Sequence, residues 1–216
     1  MPTATLEEYL ESIYKLAAQG PVRPTQVADA IGVSGPTVTA TLRRLESQGL
    51  ITRAGTAVVL TDEGTARALN IVRRHRIAES FLVDALGLDW DAAHEDACLL
   101  EHALSPRVLE ALERFLDNPA VCPHGHPIPN ADGSVASLTG TLLADVAAGS
   151  IVSVLYVAED DDELLGYLGD LGLRPGAQVA VIDSAPFDGP LTIDVAHTRT
   201  AIARNVARLV TVETRT

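Results

Sequence analysis

Six side chains between positions 75 and 102 have the types and spacings that chelate a transition metal. His75 and Glu79 are four apart, so on a helix they share a face one turn from each other. His94, Cys98, Glu101 and His102 follow at intervals of four, three and one, which stacks them along a second face. Imidazole, thiolate and carboxylate form a mixed donor set suited to a transition ion; calcium or magnesium would call for more oxygen and no sulfur. Two cysteines cannot build a disulfide scaffold, and Cys98 among His and Glu reads as a thiolate ligand. An acidic amino-terminal helix adds Glu8 and Glu11 if the bundle folds back on itself. A metal joining residue 8 to residues 98–102 would couple two sites, which is regulation and not catalysis.

The elements that must position these ligands can be read from apolar periodicity. Asp62 to about Leu86 reads as one long helix, with Ala66, Leu69, Val72, Ile77, Phe81 and Leu82 as its apolar positions. A second helix covers roughly Asp91 to Leu104, and after Ser105-Pro106 a third ends near Asn118-Pro119. Apolar surface left over on these helices suits a symmetric dimer.

Upstream lies a DNA-reading pattern. Leu6, Leu10, Ile13, Tyr14 and Ala17 outline a first helix that Gly20-Pro21 stops. Thr25 is placed to cap a second, Gln26 to Ala30, and Gly32-Val33-Ser34 forms the turn into a third from Pro36 to about Gln48. Gly49 closes it; Leu50-Ile51-Thr52 and Val58-Val59-Leu60-Thr61 then read as a two-stranded wing. The exposed side of the recognition helix offers Ser34, Pro36, Thr37, Thr39 and Arg43 to DNA. Few of these are bidentate base readers, so phosphate positioning and shape readout are expected to dominate.

A net charge of −13 taken as a whole argues against nucleic acid, but its distribution does not. Residues 1–76 carry nine Lys/Arg and seven Asp/Glu; residues 77–216 carry seven and 22. The acid is downstream, where bound cations can offset it. No apolar run reaches membrane-spanning length and the amino terminus lacks the order of a secretory signal, so a cytoplasmic protein without membrane contact is expected.

Several motifs together resemble the diphtheria-toxin-repressor-like metal-dependent transcriptional repressors. They are Tyr9-Leu10 through Ile13-Tyr14, Ser34-Gly35-Pro36-Thr37-Val38, Gln48-Gly49-Leu50, Leu60-Thr61 with Gly64, Arg74-His75-Arg76, Glu79 with Phe81-Leu82, and His94-Glu95-Asp96-Ala97-Cys98 with Glu101-His102. Pro127-Ile128-Pro129 is a weaker mark. The resemblance implies a homodimeric repressor that binds double-stranded operator DNA when Fe(II) or Mn(II) is sufficient. By position, Glu8, Cys98, Glu101 and His102 correspond to the activating site, and His75, Glu79 and His94 to an ancillary one.

Two departures bear on specificity. The iron branch usually has Met where this chain has Glu8, whereas manganese sensors have carboxylates at the positions of Glu8 and Glu11; Cys98 follows the iron branch. A harder, more anionic site relatively favours Mn(II), the weakest binder of the divalent series, so Mn(II) is expected with Fe(II) as the alternative. Iron-branch relatives also carry Gln where the recognition helix here has Ala40, which removes a polar base reader.

In residues 120–136, Cys122, His124 and His126 invite a zinc-site interpretation, but Pro123, Pro127 and the absence of a paired ligand cluster favour a structural linker, with metal binding as the alternative. Beyond it, apolar runs at residues 151–157, 179–182, 191–195 and 209–212, with a short helix near Leu164 to Leu171, predict a small β domain. The resemblance makes this domain SH3-like and able to lend acidic ligands to the ancillary metal, for which Asp160 and Glu163 are the candidates. The expected protein is thus mainly α with a small β domain: a winged helix-turn-helix over 1–73, a helical dimerisation and metal-binding domain over 74–119, a linker over 120–136 and an SH3-like domain over 137–216. No small organic substrate is expected. The competing readings are a metal-dependent hydrolytic enzyme and a constitutive DNA-binding protein whose metal is only structural.

Overall fold

In the computed structural model, which describes residues 6–158 and 161–214, the chain divides into two compact units. One holds the residues up to Arg74 together with Pro129–Ser134, the other His75–Ile128 and Val135–Thr216. No helix among the described residues is long and apolar enough to cross a membrane.

The first unit is a winged helix-turn-helix. Helices α1 (Leu6–Ala17), α2 (Pro24–Ile31) and α3 (Gly35–Ser47) bury Tyr9, Leu10, Ile13, Val27, Val38, Leu42 and Leu45 in one core. The second helix starts earlier than expected, so Thr25 is not its cap. Pro24 takes the first turn, where its missing N–H costs nothing, and Gln26 Oε1 accepts from the Arg23 amide at 2.8 Å. Ser34 caps α3 by accepting from the Thr37 amide at 3.4 Å, with Pro36 in the first turn. Strands β1 (Ile51–Ala54) and β2 (Ala57–Leu60) pair antiparallel from Ile51↔Leu60 to Ala54↔Ala57, and the Val58 amide donates to the Val22 carbonyl at 2.8 Å. Helix α4 (Asp62–Ser80) begins against the wing. Thr61 Oγ1 donates to the Gly49 carbonyl at 2.7 Å and accepts from the Gly64 amide at 3.1 Å. A Cβ at Gly64 would run into the Leu50 carbonyl, so only glycine allows this approach.

In the second unit the distal part of α4 continues from His75 and ends in a π-helical turn over Phe81–Ala85, which widens the last turn of the single long helix that periodicity predicts. Helix α5 (Ala93–Glu101) is shorter than the expected 91–104. Helix α6 (Pro106–Phe115) is capped by Ser105, whose Oγ accepts from the Val108 amide at 3.4 Å, and it is closed by Asp117 and Asn118, both at positive φ (59° and 54°). Ile77, Ala78, Leu82, Ala93, Ala97, Leu104 and Leu109 form the helical core, and Cys122 and Ile128 of the expected linker are buried in it.

The remainder is a six-stranded antiparallel sheet. It comprises β3 (Thr141–Leu142), β4 (Ile151–Val157), β5 (Gln178–Ser184), β6 (Leu191–Val195), β7 (Thr198–Ile202) and β8 (Val210–Thr214), in the order β3-β8-β4-β5-β6-β7. Helix α7 (Asp162–Asp170) buries Leu165 and Leu168 against the sheet, and α8 (Arg204–Ala207) precedes β8. Strand β7 is absent from the sequence expectation. It is an edge strand with a largely exposed, polar face, and its hairpin turn at Ala196-His197 adopts positive φ (49° and 68°) without the Gly or Asn that usually signals one. The core of this domain also takes in Trp90, from the segment that precedes α5.

Candidate metal centre and DNA-reading helix

Helical spacing separates His75 and Glu79 from His94, Cys98, Glu101 and His102. In the folded unit these groups are joined through His75. Its Nδ1 lies 2.8 Å from Glu101 Oε2 and its Nε2 3.6 Å from Glu79 Oε1. Cys98 Sγ is 3.8 Å from His75 Nδ1 and 3.7 Å from His94 Nε2, so the thiol sits between the two imidazoles, whose centroids are 4.8 Å apart. His94 Nδ1 approaches Glu79 Oε1 at 3.7 Å, and His102 Nε2 approaches Glu101 Oε1 at 3.3 Å. His75, Glu79 and Glu101 are buried.

Burying so many ionisable groups is costly, and the protons distribute to limit that cost. Burial opposes a charge on His75, but Cys98, Glu101 and Glu79 outweigh it and hold the imidazole well above its ordinary value. Burial likewise disfavours the His94 cation, yet Cys98 and Glu79 push it up to about 10. Glu79, although desolvated, is held well below the usual carboxylate range by His124, His75 and His94, and the same two imidazoles, His75 and His94, lower Cys98 against its burial. Imidazolium protons thus stand where a divalent cation would neutralise the same anions.

A second group lies on the other side of Glu79. His124 Nδ1 is 3.1 Å from Glu79 Oε2, and Glu79, Cys122 and His124 present ligand atoms within 4.8 Å of one another, all buried. His75, His94 and Cys98 form a comparable set. Cys122 and His124 belong to the segment that reads as a structural linker; their partner is 43 residues upstream of Cys122, at a separation no local motif reports. The signal available in the chain was the Cys-Pro-His-Gly-His run itself.

Fit to a metal can be judged from the polar atoms. His75 Nε2, His94 Nδ1, His124 Nδ1 and both Glu79 oxygens are buried without a hydrogen-bond partner. Native interiors leave few such atoms, and five converging ones of metal-ligating type suit a cation. The donor set mixes N, O and S, which fits a transition ion.

The other expected ligands are placed as follows. Glu8 and Glu11 lie on α1 of the first unit, Glu8 half-buried and Glu11 paired with Lys15 at 3.4 Å. Glu163 is exposed in the first turn of α7 and is not among the grouped side chains; Asp160 falls outside the described residues.

On α3 the DNA candidates Ser34, Pro36, Thr37, Thr39 and Arg43 are all exposed. The hydroxyls are already engaged locally: Ser34 Oγ and Thr37 Oγ1 share a 2.8 Å bond, and Thr39 Oγ1 donates to the Gly35 carbonyl at 2.9 Å. Each oxygen keeps acceptor capacity while the Thr methyls remain outside, a surface suited to apolar contact with thymine methyls and to phosphate positioning by Arg43.

Family models match over residues 1–56 (iron dependent repressor, N-terminal DNA binding domain), 61–130 (iron dependent repressor, metal binding and dimerisation domain) and 141–214 (FeoA domain). The chain is 36% identical over 224 residues to the iron-dependent repressor IdeR of Mycobacterium leprae (strain TN), covering 97% of this chain and 96% of that one. It is 33% identical to the diphtheria toxin repressor of Corynebacterium diphtheriae, over 90% of this chain and 95% of that one. Among solved structures, a manganese-dependent transcriptional repressor in complex with manganese superposes with a TM-score of 0.91 at 32% identity, covering 98% of this chain and 100% of that one.

Proposed function

Because the chain belongs to the family of diphtheria-toxin-repressor-like metal-dependent transcriptional repressors, we propose that it is an Mn(II)-activated repressor that binds operator DNA as a homodimer and controls metal homeostasis in the cytoplasm. The family is one of transcriptional repressors and not of enzymes. The observation that carries the metal dependence is the convergence of buried imidazole nitrogens on Glu79 without a hydrogen bond among them, with His75 reaching across to Glu101.

In this reading Glu8, Cys98, Glu101 and His102 make up the activating site, with Glu11 as a further oxygen donor. His75, Glu79 and His94 serve the ancillary one, to which Cys122 and His124 are added and to which Asp160 and Glu163 are acidic candidates. The bound cation would supply positive charge that lets Glu79, Glu101 and Cys98 stay anionic without imidazolium protons. His75 would then give up one proton, leaving one ring nitrogen free to coordinate and the other to donate to a single carboxylate. The choice of Mn(II) rests on the carboxylates at Glu8 and Glu11, which make the activating site harder than one built on thioether. Retention of Cys98, and the similarity to iron-dependent repressors, favour Fe(II) as the second reading.

Operator contact is assigned to Ser34, Pro36, Thr37, Thr39 and Arg43 of α3. Dimerisation is assigned to the apolar surface of the helical segment, where Leu99, Val108 and Phe115 are exposed. Anaerobic anisotropy titrations of duplex DNA, with Mn(II) and Fe(II) added separately at cellular concentrations, test the metal. Activation by Mn(II) is expected; activation by Fe(II) with none by Mn(II) would replace the first reading by the second.

A further inference from the structure

Trp90, the only tryptophan of the chain, is 6% exposed and touches both residues that follow Cys122. Its indole Nε1–H donates to the Pro123 carbonyl at 3.0 Å. Its own carbonyl accepts from His124 Nε2 at 2.9 Å, and its ring lies 4.8 Å from the His124 ring at a tilt of 54°. Arg174 caps the far side, with its guanidinium carbon 4.8 Å from the indole centroid.

These contacts decide which nitrogen of His124 is available. A carbonyl oxygen can only accept, so Nε2 must carry a proton, and Nδ1 is left as the coordinating nitrogen. That atom is the one 3.1 Å from Glu79 Oε2, buried and without a hydrogen-bond partner. Metal-ligating histidines are ordinarily oriented in this way, by donating the other ring N–H to a carbonyl or carboxylate. The same loop is held from the opposite side, where His126 Nε2 donates to the Val157 carbonyl at 2.7 Å.

We propose that the Trp90 side chain is the positioning group of a metal group made by Glu79, Cys122 and His124: the main-chain carbonyl of residue 90 fixes the tautomer of His124, and the indole, bonded to the Pro123 carbonyl and packed on the imidazole, fixes the ring plane so that Nδ1 is presented beside the Glu79 carboxylate. The inference rests on reading Glu79, Cys122 and His124 as metal ligands, and the experiment separates the two.

Mn(II) binding to the full-length protein is measured by anaerobic calorimetry for wild type, Cys122→Ser, His124→Gln, Trp90→Phe and the Trp90→Phe/His124→Gln double variant. Loss of one metal equivalent in Cys122→Ser and His124→Gln supports the group; unchanged binding in both overturns it, and Trp90 with it. Trp90→Phe keeps an aromatic face but removes the bond to Pro123, and is expected to weaken that equivalent by about 10-fold, the lower end of what supporting residues of metal sites contribute. Because Trp90 acts through His124, the double variant should bind like His124→Gln alone. Wild-type binding by Trp90→Phe, or an equal loss with and without His124, reduces Trp90 to a packing residue. If Trp90→Phe does not fold, the indole emission of the wild type decides: it must change on Mn(II) addition and stay constant in Cys122→Ser, and an emission unmoved while the group fills contradicts the proposal.

Discussion

His75 Nδ1 lies 2.8 Å from Glu101 Oε2, so an imidazole of α4, proposed above as an ancillary ligand, is in contact with a carboxylate of α5 proposed for the activating site. Its other nitrogen faces Glu79 at 3.6 Å. One side chain therefore stands between the two carboxylates, and in the proposed reading it links the two metal groups.

Replacing His75 should weaken both metal equivalents, whereas His94→Gln should weaken one. His75→Gln is expected to lower affinity for Mn(II) at both by more than the about 10–100-fold that losing a merely supporting partner costs. Calorimetry at matched pH measures it. Two independent sites, only one of which responds to His75→Gln, would contradict the shared role.

Metal binding should be proton-linked, with a sign that follows from the shifts. His94, pushed up to about 10, and His75, raised well above the ordinary histidine value, are protonated in the metal-free protein at neutral pH and must lose those protons to coordinate. Apparent affinity should therefore rise with pH across the neutral range. Cys98, lowered by the same imidazoles, supplies fewer protons than an ordinary thiol would. Calorimetry in buffers of different ionisation enthalpy counts the protons released; a count near zero would contradict the protonation pattern.

How far such a centre can be read from the chain depends on where its ligands sit. Ligands three and four apart on α4 and α5 were legible because helical period alone puts them on one face. Cys122 and His124 stood out only as a weak zinc-type run, and their grouping with Glu79 was not legible, because Glu79 lies on a distant helix and the run sits in what looks like a proline-rich linker. The domain division shows the same limit. Apolar period marks helices and strands, but it does not report that residues 129–134 group with the first unit while residues 120–128 pack into the second. The winged helix-turn-helix was legible in its order of elements, marked by Pro36 in the first turn of α3 and by Gly49 at positive φ after it, whereas α2 starts two residues before its expected start.

Arg43 and Ser34 should separate phosphate contact from helix capping. Arg43→Ala is expected to weaken DNA binding similarly across sequences and to reduce the slope of log affinity against log salt by about one. Ser34→Ala should cost about 0.5–2 kcal/mol of stability through loss of the α3 cap, measured by denaturant unfolding of the metal-free protein. An unchanged salt slope in Arg43→Ala would remove that residue from the interface.

Phe115 is 70% exposed at the end of α6, where it meets Phe81 edge-on at 6.1 Å. A large aromatic side chain in that state is suited to burial by a second copy. Phe115→Asp is expected to give a monomer in sedimentation experiments and to lower operator affinity by about 10²–10⁴-fold, the loss of bivalent engagement. A dimer that survives the substitution would place the interface elsewhere.

The central claim is that metal at the α4–α5 centre gates DNA binding. Its most direct test is the affinity of the metal-free and Mn(II)-saturated protein for one duplex, selected on the metal-loaded form, with circular dichroism recorded on both. A metal-free protein that stays folded and binds about 5–150-fold more weakly, the usual range of allosteric coupling, is the predicted result. Equal affinity of the two folded forms would contradict the account and leave the metal with a structural role only.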